Sequence, residues 1–250
     1  PALALSWDLV NDTRWVFHLR PNVTFHNGAP MNATAVAAIL AYLRSPEGRR
    51  FYISTEVDTI AAVEVIDPLT LAIETSVPDA ILPKRMALVA VPEPDLWRTL
   101  GPDGFAQAPV GTGSFKLREW GQATGRMIFD ADEDSWRAPI DIDVLELWTV
   151  SDATSRVQAL ITGQVDVLEA VSIDDVELIE TSGFKVWAFG GAQVASIAFR
   201  TVGNPESPLQ DSRVRQALNY AVNRELIAEV LFGSSADPAS QGASRGTFGY

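Results

Sequence analysis

The first clear pattern along the chain is an alternation. Trp15, Phe17 and Leu19 fall at every second position between polar or smaller neighbours, the period of a strand with one buried face. With the apolar run at 3–9 and the turn residues Asn11, Asp12 and Thr13, it predicts a β-hairpin. A short strand is expected at 23–25, between the turn signals Pro21-Asn22 and His26-Asn27-Gly28. The period then changes. Val36, Ile39, Leu40 and Leu43 recur at helical spacing, which predicts a helix capped by Asn32 or Thr34 and ending near Arg44. A second hairpin is expected from 60–66 and 71–75, turning at Asp67-Pro68.

Gly101-Pro102-Asp103-Gly104 interrupts the pattern, and a domain boundary is expected within 97–108. Beyond it, strands are predicted at 115–120, 127–131 and 144–150, then a helix capped by Asp152 or Ser151 that stops at Gly163. Further strands are expected at 165–169, 184–189 and 194–199, with a helix at 173–181 that Ser182-Gly183 ends. Asp211 and Asn223 stand where N-caps belong for two closing helices, the second ended by Gly233. Helices lie between strands in the second part, so the fold class is α/β, in the mixed α+β sense.

Composition narrows the function. The formal net charge is −13, with Lys+Arg 19 against Asp+Glu 32, and no basic stripe carries interleaved aromatics, so nucleic acid is not an expected partner. There is no cysteine, which excludes disulfides, zinc–thiolate sites and thiol nucleophiles. No window reaches the length of about 18 apolar residues typical of a membrane span. Pro1-Ala2-Leu3-Ala4 has neither an initiator Met nor a basic or apolar leader, so a targeting signal is expected to lie outside this sequence. Residues 241–250 read as a loop with no element after them.

Candidate chemistry is sparse. The run Pro109-Val110-Gly111-Thr112-Gly113-Ser114 meets neither phosphate-loop nor dinucleotide spacing and leads into a strand, so a tight crossover is expected there. Asp130-Ala131-Asp132-Glu133-Asp134 opens like a calcium loop, but Ser135 and Asp141 stand where Gly and Glu are required. Only His18 and His26 could serve as imidazole bases, and no Gly-x-Ser-x-Gly accompanies them, so neither a hydrolase nor a metal site is expected. A carboxylate pair of glycosidase type stays open, because 32 acidic residues always allow some pair. Trp97, beside the expected boundary, is the tryptophan placed best for a cleft role, since ligand sites favour domain interfaces.

Longer blocks carry a resemblance. The stretch PALALSWDLVNDTRWVFHLRPNVTFHNGAP is similar to P-x-L-A-x-S-W followed by W-T-F-x-L-R-x-x-V-x-F-x-[DN]-G-x-P. APVGTGSFKLREW resembles P-V-G-T-G-P-[YFW]-x-L, with Ser114 in place of Pro. DEDSWRAPIDIDVLELWTVSDATSRVQALITGQVDV and SPLQDSRVRQALNYAVNRELIAEVLFG resemble two further blocks, in the same order. These are signatures of the extracellular solute-binding proteins of family 5, the oligopeptide-, dipeptide- and nickel-binding periplasmic proteins of ABC importers. Arg213, Arg215, Asp141 and Asp143 within them read as scaffold residues.

The resemblance implies a partial fold of the periplasmic binding protein type II kind. Residues 1–108 would be the extra inserted domain and 109–250 the central segment of the first lobe, with 248–250 at the crossover to a second lobe outside this sequence. It implies a monomeric, exported, periplasmic protein that captures a peptide or peptide-like solute and delivers it to a membrane permease, with no cofactor and no catalysis. A nickel chelate, an opine or an oligosaccharide is the alternative cargo, and a hydrolase the more remote one. Nickel-binding members use a Trp and an Arg from the extra domain. Here 51–53 and 86–88 fall at those places and match neither, although Arg85 is adjacent. By position in the resemblance, the ligand-binding candidates are Phe51, Tyr52, Arg85, Met86, Gln193, Val194 and Ser196. The acidic residue that peptide-binding members offer a peptide amino group belongs to the second lobe, and with that lobe outside this sequence residues 1–250 alone are expected to bind weakly or not at all.

Overall fold

The computed structural model describes residues 2–137, 140–188, 194–233 and 236–242, which group into two compact units, Pro1–Thr149 and Val150–Tyr250. The first unit begins with the predicted hairpin, β1 (Ala4–Asn11) and β2 (Arg14–Leu19). β3 (Ile60–Asp67) and β4 (Thr70–Thr75) add the second hairpin, and the strands form one antiparallel sheet in the order β1-β2-β4-β3. Trp15 lies opposite Ile73 and Phe17 opposite Leu71, so the alternation of both strands turns the same residues to one face. Helix α1 (Ala33–Arg44) covers that face with Ile39, Leu40 and Leu43. Asn32 is its cap, accepting the Ala35 N–H at 3.0 Å. The indole N–H of buried Trp15 donates to the Asp79 carbonyl at 3.1 Å, so the core leaves that donor satisfied. On the outer face Arg14 bridges Glu64 and Glu74 across three strands.

The strand expected at 23–25 is instead an isolated bridge, Thr24 to Pro30. The turn at Gly28, with φ +84°, folds the segment back on itself, burying Val23, Phe25 and Met31 with too few residues for a ladder.

The region expected to hold a boundary is a helix. Beyond α2 (Leu82–Met86), α3 runs Pro94–Gln107 with a kink at Gly101, whose φ of 67° and ψ of 178° leave helical space. The Gly-Pro pair does break the helix, but Pro102 then opens the next turn, where no N–H is required of it. The two compact units divide at 149/150, so residues 109–149 group with the first. Residues 109–113 are tied into the first unit: the Gly111 carbonyl accepts the His26 N–H at 2.9 Å, Gly113 O lies 3.0 Å from His26 Nε2, and the Thr112 carbonyl accepts the Trp136 indole N–H at 2.9 Å. Backbone carbonyls, engaged with side chains, fill the place a phosphate loop would give to anion-binding N–H groups. A second sheet follows in the same unit, β5 (Phe115–Gly121), β6 (Arg126–Ala131) and β7 (Val144–Trp148), in sequential antiparallel order.

The second unit is helical among its described residues. Asp152 caps α4 (Ala153–Ile161), and α5 (Val176–Thr181) packs Ile179 with Val157 and Leu160. Asp211 and Asn223 cap α6 (Ser212–Ala221) and α7 (Arg224–Phe232) as predicted, and Arg215 reaches back to the Leu209 carbonyl at 2.7 Å. The strands expected at 165–169, 184–189 and 194–199 do not form at 165–169, 184–188 or 194–199, and Phe189 lies outside the described residues. A strand's N–H and C=O groups need a hydrogen-bonded neighbour, and no ladder forms among the described residues of this unit. Val165, Leu168, Phe184 and Val186 pack instead against the small core of α4 and α5.

Candidate functional site

The first unit carries a cavity of about 460 Å³, open to solvent on one side, bounded by α1, the 51–53 segment, 88–92, α3 and 109–111. That volume lies in the range of small-molecule pockets, about 300–1,000 Å³. Aromatic rings from four places in the sequence meet on its wall. Trp97 is the hub: its ring stands 5.3 Å from that of Tyr42, 6.4 Å from Phe51 and 5.1 Å from Phe105, each edge to face. That is the arrangement aromatic quadrupoles prefer. Ile39, Leu43, Ile53, Val89 and Val91 supply aliphatic wall.

Local chemistry explains how α3 reaches this place. Glu93, buried, caps it by accepting the Asp95 and Leu96 N–H groups at 3.3 and 2.7 Å. Its own N–H donates to the Val110 carbonyl at 3.0 Å, fastening the helix start to the 109–111 wall. The Gly101 kink then turns the second half of the helix. In an unbroken helix residues 97 and 105 would be about 12 Å apart along the axis; the kink lets their rings touch.

The lining contains no Asp, Glu, Lys, Arg or His. The nearby cation, Arg85, is committed elsewhere. It lies 3.3 Å from the buried carboxylate of Asp79 and 3.9 Å from Glu56, and Thr59 also donates to Asp79 at 2.7 Å. Among the described residues no group of three or more His, Cys, Asp or Glu could hold a metal ion. Two carboxylates of the acidic run at 130–134 are taken up in ion pairs: Asp132 meets Lys116 at 2.9 Å, and Asp130 receives Arg118. Hydrogen bonds from Arg118 hold the Asp130 carboxyl below its usual range, and Arg126 does the same for Glu146.

Of the residues singled out by sequence, Phe51 lines the cavity and Tyr52 beside it is 87% exposed. Met86 packs half-buried against the core, and Arg85 sits in its ion-pair cluster. Val194 and Ser196 belong to the second unit, and Gln193 lies outside the described residues. Trp97, marked for a cleft role, is on the cavity wall. Tyr42 and Phe105 were not singled out; the sole signal for them is aromatic character on helical stretches.

The model for "Bacterial extracellular solute-binding proteins, family 5 Middle" matches residues 1–250. The chain belongs to this family. Among its curated relatives, heme-binding protein A of Haemophilus influenzae is 27% identical over 263 residues, covering 96% of this chain and 47% of the relative. The nickel-binding periplasmic protein of Escherichia coli is 26% identical over 246 residues, covering 94% and 46%. The chain thus spans about half the length of the curated relatives it matches. Solved structures agree in fold. NikZ from Campylobacter jejuni, in complex with Ni(L-His), superposes with a TM-score of 0.81 at 24% identity, covering 97% of this chain and 48% of that one. DppA from Helicobacter pylori, in complex with the peptide STSA, gives 0.77 at 22%, covering 100% and 53%. The expected mixed fold of a partial periplasmic binding protein is the one observed.

Proposed function

We propose that this family 5 protein is the solute-binding component of an ABC importer. It captures peptides or peptide-like small molecules outside the cytoplasmic membrane, as a periplasmic monomer, and delivers them to a membrane permease. The single observation that carries the reading is an apolar, aromatic-walled cavity of about 460 Å³ in a family of binding proteins, with no nucleophile–base pair or metal cluster on its wall. Phe51, Tyr52, Arg85, Met86, Gln193, Val194 and Ser196 are the residues proposed to meet the solute. Residues 1–108 would act as the inserted domain and 109–250 as the central part of the first lobe. Capture would proceed by lobe closure, with the closed state favoured by the contacts that the solute makes to both sides.

The second reading is a nickel–histidine chelate as cargo, favoured by the nickel-binding relative and by the Ni(L-His) bound to NikZ. A chelate brings its own metal ligands, so the lack of a protein metal cluster does not decide between the two. Mass spectrometry of small molecules released from the protein as its native host makes it separates them. Peptides are expected. Nickel with histidine would establish the second reading, and release of neither would overturn both.

A further inference from the structure

We infer that the cavity between α1 and α3 takes a small, uncharged, mainly hydrocarbon group, aromatic or branched aliphatic, and rejects charged ones. The assignment of that group to the apolar end of the captured solute rests on the reading above; the chemistry of the cavity does not.

Trp97 meets Tyr42, Phe51 and Phe105 edge to face and Tyr42 meets Phe51 at a tilt, so the surface presented to a ligand is already organised. A charged group entering it would lose hydration without gaining a counter-charge, because no ionisable acid or base lines the cavity except the Tyr42 phenol. Glu93, adjacent in sequence to the lining, is engaged by two backbone N–H groups, and Arg85 by Asp79. The polar side-chain groups of the lining are the Tyr42 hydroxyl and the Trp97 indole N–H, neither of which has a hydrogen-bond partner among the described residues. The fitting ligand is therefore a hydrocarbon body with one or two neutral hydrogen-bonding atoms at most. The volume suits one or two rings and excludes a folded peptide segment.

The cavity lies wholly within the first unit, so its occupancy can be read on residues 1–250 without lobe closure. The probe is N-phenyl-1-naphthylamine, a neutral two-part aromatic whose fluorescence rises on leaving water. Saturable binding is expected. Ala90→Trp places a ring at the cavity where the native side chain is exposed, and should weaken the probe about tenfold, which is about 1.4 kcal/mol. Val110→Phe, from the opposite wall, should do the same and replaces Ala90→Trp if circular dichroism shows that variant unfolded. Ile66→Ala, at an exposed position outside the lining, should leave binding unchanged. Absence of saturable binding, or equal binding by both filled variants, overturns the inference. Competition, measured on the whole protein as its native host makes it, separates the two readings. Displacement by a phenylalanine-rich tripeptide and not by a lysine-rich one supports both. Probe binding that the filled variants weaken but no peptide displaces supports the cavity's chemistry and counts against peptide capture.

Discussion

Gly101 offers a clean test of how the aromatic wall is built. Its φ of 67° with ψ of 178° belongs to a region that only glycine occupies without strain. A Cβ added there would meet no heavy atom within 4 Å, so Gly101→Ala creates no clash. Any loss is therefore torsional, and a residue forced into such a region costs about 1–3 kcal/mol. With a urea m-value of about 2 kcal/mol/M, a 2 kcal/mol loss moves the unfolding midpoint of the first unit down by about 1 M. If the chain escapes the strain by straightening α3, Phe105 leaves Trp97 and the neutral probe weakens together with stability. Asp103→Ala in the same turn, an exposed position, should change stability by no more than about 0.5 kcal/mol. A Gly101→Ala protein with the parental midpoint and parental probe affinity would refute the claim that the kink forms the wall.

Other outcomes follow from the same structure. Asn32→Ala removes the α1 cap and should cost about 1 kcal/mol in urea unfolding, with Asn32→Asp close to neutral. Leu40→Ala, at 1% exposure between α1 and the sheet, should cost about 2–5 kcal/mol by the same assay. Arg85→Met leaves the Asp79 carboxylate buried without its counter-charge and should cost about 3 kcal/mol, whereas Asp79→Asn with Arg85→Met together should recover part of it in a double-mutant cycle. The second sheet should loosen in acid. Arg118 and Arg126 hold Asp130 and Glu146 below their ordinary values of 3.8 and 4.5, so the stabilisation is fully present above those values and is lost as pH falls through the lower folded ones. Amide exchange of β5–β7 measured at pH 6 and pH 3 checks this, and Glu146→Gln should flatten the difference.

Much of the first unit is legible before any coordinates, because its signals are local and agree with one another. The alternation of Trp15, Phe17 and Leu19 and the spacing of Ile39, Leu40 and Leu43 each define a face, and those faces have little choice but to meet. The helix caps at Asn32, Asp152, Asp211 and Asn223 are likewise short-range and fall where the residue types demand. The candidate site is legible only in fragments. Phe51 and Trp97 stand out, but that Tyr42, Phe51, Trp97 and Phe105 share one wall depends on a kink whose Gly-Pro signal reads equally well as a linker. His26 shows the same limit: it reads as a turn residue, and its bonds to Gly111 and Gly113 are long-range facts that no spacing announces.

The strands expected in the second unit expose the deeper reason. Residues 184–188 and 194–199 have the composition of strands, yet composition fixes only what a segment can bury, not which backbone will pair with it. A helix closes its hydrogen bonds within itself and so survives wherever its cap and apolar face agree; a strand is an incomplete object until a neighbour supplies the other half of the ladder. That asymmetry accounts for a unit in which every predicted helix is present and every predicted strand is absent among the described residues. It also bears on the cargo. Val194 and Ser196 are solute contacts by position in the resemblance alone, whereas Phe51 also stands on a wall that its own unit completes. The solute contacts of the first unit are therefore the ones to test first: weakening by Phe51→Ala with Ser196→Ala unchanged would locate capture on the aromatic wall, and the reverse would move it to the second unit.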